Sequence, residues 1–129
     1  MFRPPGPVPR HAEFNVVACL NTWGLGADRV YVGRNQLDGA TLDRFAVLAW
    51  GYDERLERAI AGDDSWVERV QALRAAAAKE KARVVISPRA SIFGAKLLAA
   101  GMTRNAVEES VIWKGIDSEL RRRIEAATV

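Results

Sequence analysis

Apolar residues follow two different rhythms along this chain. Up to residue 50 they come in short unbroken runs, and beyond it they recur at helical spacing. FNVVACL, residues 14–20, has the length and valine content of a strand and carries no charge. Such a run suits a strand covered on both faces, as in a parallel sheet flanked by helices. FAVLAW, residues 45–50, is a second run of this kind, ended by Gly51. Between them WGLGADRVYVGRNQLDG is punctuated by glycine and reads as loop, with a turn or hairpin around residues 30–32. A short helical pattern covers residues 37–44.

Beyond residue 52 the signals are those of helices. Asp53 is placed to cap a helix reaching Ala61, and Gly62-Asp63-Asp64 breaks it. A longer helix is expected over residues 65–82, with Trp66, Val67, Val70, Leu73 and Ala77 on its buried side. Ser87-Pro88 is an N-cap followed by proline at the first helical position, where a missing amide costs nothing. That helix should run to Ala100, with Gly101 closing it. Thr103 caps another reaching Trp113, Lys114-Gly115 ends it, and Asp117 or Ser118 starts the last. The expected domains are a proline-rich lead-in over residues 1–13, an α/β part over 14–52 and a helical part over 53–129. Two strands do not make a stable α/β sheet alone, so the chain reads as a piece of something larger.

Composition narrows the chemistry. With 49% hydrophobic and 27% charged residues the chain is of globular rather than disordered type. A net charge of +3, with only Arg121, Arg122 and Arg123 forming a basic run, does not point to nucleic acid. Cys19 is the single cysteine and His11 the single histidine, so neither a disulfide nor a zinc cluster can be built. No apolar stretch is long enough to span a membrane, and the start lacks a signal-peptide core. A cytoplasmic location is expected.

Three stretches in order, VVACLNTWGLGA (16–27), YVGRNQLDGATLDRF (31–45) and ISPRASIFGAKLLAAG (86–101), resemble AAA+ ATPases of the dynein-related, midasin-like and MoxR-like group. With the linking YDE at 52–54, the resemblance covers most of residues 14–113. It implies an α/β fragment plus an α-helical lid. The two runs at 14–20 and 45–50 would be buried strands of a P-loop NTPase parallel sheet, and residues 53–129 the lid. It also implies ATP and magnesium as cofactors, hydrolysis of ATP in a ring, a hexamer of AAA+ subunits, and a remodelled protein as substrate.

The resemblance assigns roles to four residues. Asn21, at the end of the first run, would be the sensor-one residue that orients the attacking water; alternatively it caps the following turn. Arg44 in LDRF would be the arginine finger for a neighbouring subunit, because a planar guanidinium offers paired hydrogen bonds to phosphoryl oxygens. Its alternative is an ion pair with Asp38 or Asp43. Arg89, in the first turn after Ser87-Pro88, would be the sensor-two arginine reaching the γ-phosphate of its own subunit. A helix amino terminus already favours anions there, although a surface pair with a carboxylate would also account for it. Arg34 in VGRN is a second trans contact or a loop anchor.

What the family needs upstream is missing. No G-x-x-x-x-G-K-[ST] phosphate loop occurs, and no apolar strand ends in paired acidic residues that would hold magnesium. The isolated chain is therefore expected neither to hold Mg-ATP tightly nor to hydrolyse it. The rival reading is a non-enzymatic module or remnant that docks on full-length AAA+ subunits.

Overall fold

Most helices of this chain begin where a short polar side chain occupies free amides. Among the described residues six are present: α1 Gly39–Leu42, α2 Glu54–Ala61, α3 Asp64–Lys79, α4 Pro88–Ala99, α5 Arg104–Val111 and α6 Ser118–Ala126. Asp53 accepts from the amides of Arg55 and Leu56 at 3.0 and 2.9 Å, and Asp63 accepts from Trp66 at 2.9 Å. Thr103 and Asp117 cap α5 and α6 in the same way. The structure is a computed structural model that describes residues 6, 9–20 and 37–128. It divides into two units, Met1–Leu42 and Asp43–Val129.

Within the described part of the first unit, α1 is the only helix, and Asp38 accepts the Thr41 amide at 2.9 Å at its start. The second unit holds α2 to α6. Its centre is the pair α3 and α4: α3 also packs on α2 and α6, and α4 on α2 and α5. Trp66, Val67, Val70 and Leu73 of α3 are fully buried, as expected from their spacing. Val107, Ile112, Trp113 and Ile124 close the core from α5, its exit and α6.

The expected α/β architecture is overturned. The described residues contain six helices and no strand. Residues 14–20 and 45–50, expected as two buried strands of a P-loop parallel sheet, belong to no ladder, and Val17 and Trp50 are 88% and 87% exposed. An apolar run becomes a strand only when a neighbour takes up its amides and carbonyls and layers cover both faces. No described segment does either. The possible turn at residues 30–32 lies outside the described residues.

One helix end also differs. α3 stops at Lys79 rather than Ala82, because Lys81 adopts a left-handed φ of 51°. The amides of Lys81 and Ala82 then turn back to the carbonyls of Ala78 and Ala77 at 3.0 and 2.9 Å, a Schellman closure.

Candidate functional site

The first turn of α4 is fixed from two sides before any ligand is considered. From α3, the buried Trp66 indole donates to the carbonyls of Ala90 and Ser91 at 3.2 and 3.1 Å. Arg74, also on α3, donates through Nε to the Ile86 carbonyl at 2.7 Å, just ahead of the helix. From α2, Glu57 accepts the Ser91 hydroxyl at 2.5 Å. Gly94 permits this approach, since a Cβ there would lie 2.3 Å from the Trp66 ring.

Glu57 ties these elements together. It is 2% exposed, and Arg74 grips it with two bonds of 2.9 and 2.6 Å. Burial is the largest influence on its carboxyl and opposes the charge. Bonds from Arg74 and Ser91 and the Arg74 charge together outweigh it, holding the pKa below its ordinary value. The Arg74 guanidinium lies 4.9 Å from the centre of the Tyr52 ring. A second pair mirrors the first across α3: Arg69 donates to Glu108 of α5 at 3.1 and 3.3 Å, and the Trp113 indole donates to the same carboxylate at 3.3 Å.

On this frame Arg89 stands exposed in the first turn of α4. The turn contains no acidic residue, and Ser87 makes no side-chain capping bond. Among the described residues Arg89 forms no ion pair, so the alternative of a carboxylate partner is not what the structure places there. An exposed guanidinium at a helix amino terminus without a local anion is a place that a phosphate could approach, although Pro88 has no amide, that of Ala90 donates to the Ser87 carbonyl, and Ser91 is buried.

The other assigned residues fare differently. Arg44 is exposed in the turn after α1 and belongs, like Arg89, to the unit Asp43–Val129. The described contacts do not bring the two together. Asn21 and Arg34 lie outside the described residues. Of the basic run, Arg121 bonds Glu109 and Glu125 and lies over Trp113, while Arg123 bonds Glu80 at 2.8 Å. Two of its three cations thus serve the fold. An open groove of about 550 Å³ between α2 and α3 includes Arg55, Arg58 and Asp64 in its lining. Arg58 is engaged there by Asp64 and Gln71, and Arg89 does not line it.

The residues fit an auxiliary contact to a nucleotide's phosphates and do not fit its sole binding site. A phosphate loop is absent from the sequence, and no acidic cluster able to hold a metal occurs among the described residues. No helix among the described residues is long and apolar enough to cross a membrane. Comparison with known proteins finds no matching family model, no matching curated protein and no matching solved structure.

Proposed function

We propose that the chain supplies the helical lid of an AAA+ ATPase whose phosphate loop is carried elsewhere, with Arg89 meeting the γ-phosphate. One observation carries this reading: an exposed arginine without a carboxylate partner in the first turn of a helix that α2 and α3 hold rigidly. A guanidinium carried on a helix held in place is positioned to stabilise charge developing on a transferring phosphoryl group. Arg44 is the accompanying candidate for a finger acting on a neighbouring subunit. Residues of this chain would position and neutralise phosphate; ATP and magnesium would supply the reactive bond and its Lewis acid.

The chain alone should show no ATP hydrolysis above background. Mixed with an AAA+ subunit that keeps its phosphate loop but lacks its own lid, it should raise that subunit's turnover. Arg89→Ala should lower the gain about 10- to 100-fold, the value of a charge-assisted hydrogen bond. Arg44→Ala, tested on a partner lacking its own finger, should lower it roughly 10³-fold or more. A gain indifferent to both substitutions would refute these roles.

A further inference from the structure

Arg74 and Glu57 hold both flanks of the segment that carries Arg89. Arg74 donates through Nε to the Ile86 carbonyl at 2.7 Å, and through its terminal nitrogens to Glu57 at 2.9 and 2.6 Å. Glu57 in turn accepts the Ser91 hydroxyl at 2.5 Å. Ile86 stands before Arg89 in the chain and Ser91 after it, and both are buried. One ion pair, shared between α3 and α2, thus ties down the entry into α4 and its first turn together.

Stability alone does not account for such a pair, since apolar side chains of similar volume often replace a buried ion pair without loss. What an apolar pair lacks is direction: it bonds neither the Ile86 carbonyl nor the Ser91 hydroxyl. The planar fork of Arg74 serves acceptors on two elements at fixed angles. The Trp66 indole holds the carbonyls of Ala90 and Ser91 but not that of Ile86, and Ser87 makes no side-chain cap. We infer that Glu57 and Arg74 are positioning residues for Arg89: beyond the stability they contribute, they set where α4 presents its guanidinium. This role rests on Arg89 as the phosphate contact proposed above. The Arg69–Glu108 pair is the natural control, because it is also buried against α3 and bonds no residue of 86–91 among the described contacts.

The full chain mixed with an AAA+ subunit lacking its own lid tests this, read as the plateau of stimulated ATP turnover at saturating chain. Glu57→Met with Arg74→Met should lower the plateau about tenfold, and should lower it no further once Arg89→Ala is present. Arg69→Met with Glu108→Met should leave it unchanged. Partial unfolding raises the amount of chain needed for saturation, whereas lost positioning lowers the plateau itself. In the unmixed chain the Ala90 amide, which donates to the Ser87 carbonyl at 2.9 Å, should exchange about tenfold faster in the first double variant, relative to amides of α3. It should not do so in the second. A plateau or an Ala90 exchange rate that the first variant leaves intact overturns the positioning role and leaves Arg89 its own. So does a plateau lowered equally with and without Arg89. Arg89→Ala without effect in the parent chain overturns the phosphate contact itself, and this role with it. If the first double variant does not fold, Ser91→Ala, which keeps the ion pair, should still speed Ala90 exchange, and an unchanged rate there overturns the role.

Discussion

Gly94 sits where α4 passes beneath Trp66, and its missing Cβ sets how closely two helices approach. The ring cannot retreat, because it is fully buried and its N–H is committed to Ala90 and Ser91. Alanine would favour the helix by up to about 1 kcal/mol, but overpacking a filled core costs about 1–3 kcal/mol. The contact distance of 2.3 Å puts this site at the costly end. Gly94→Ala should therefore destabilise by about 2 kcal/mol in urea unfolding, and adding Trp66→Phe should recover part of the loss. Lys81 presents the opposite case. It occupies the left-handed position after α3 that Gly101, with φ 90°, occupies after α4. A non-glycine residue there costs about 1–2 kcal/mol, so Lys81→Gly should raise stability by about 0.5–1 kcal/mol after the added chain entropy. A lowered urea midpoint would show that the lysine side chain serves some purpose at that turn.

At the scale of elements, α3 is held by an arginine–glutamate pair on each side, Arg74–Glu57 towards α2 and α4 and Arg69–Glu108 towards α5. Removing one member of a buried pair leaves the other charged and dry, at about 3–5 kcal/mol. Arg74→Met should cost that much, whereas Arg74→Met with Glu57→Met should cost less than either alone. Both glutamates have pKa values below the ordinary one: burial opposes their charge most, and the arginine bonds and charges override it. The stability they contribute is therefore complete above the ordinary glutamate value near 4.3. It is lost as pH falls through the depressed folded values. Thermal melts from pH 7 to pH 2 should show this acid limb. The difference between the parent and Glu57→Gln should narrow towards the acid end, and a constant gap would mean that Glu57 acts through shape alone. Legibility in the sequence divides along the same line. Starts at Asp53, Ser87-Pro88, Thr103 and Asp117 could be read because a cap is a matter of three or four residues. Glu57 could not: α2 buries it and exposes Leu56 and Ile60, the reverse of its apolar pattern. Only the arrival of Arg74, from another helix, makes that burial tolerable. The position of Arg89 in the first turn of α4, though not its role, was legible from the adjacent Ser87-Pro88, and the two strands were misread because a strand depends on neighbours.

For the whole molecule the question is how much of the chain carries its own stability. The helical core, from Trp66 to Ile124, lies entirely within the unit that starts at Asp43. Its outermost described contacts are the Asp53 cap and the Tyr52 ring under Arg74. Residues 45–50 add apolar surface exposed to water and no hydrogen bond. A fragment beginning at Tyr52 should therefore keep every helix from α2 to α6 and unfold cooperatively. At roughly 80 residues one apolar core supplies only about 3–5 kcal/mol, so its urea midpoint should be modest and close to that of the full chain. Hydrogen exchange on the dilute full chain should agree. Amides buried within α3 and α4 should exchange through global opening, and those of residues 14–20 and 45–50 at nearly unprotected rates. Protection of residues 14–20 in the dilute chain would mean that they find a partner within it. A fragment from Tyr52 that melts without cooperativity would place part of the core's stability in residues before it.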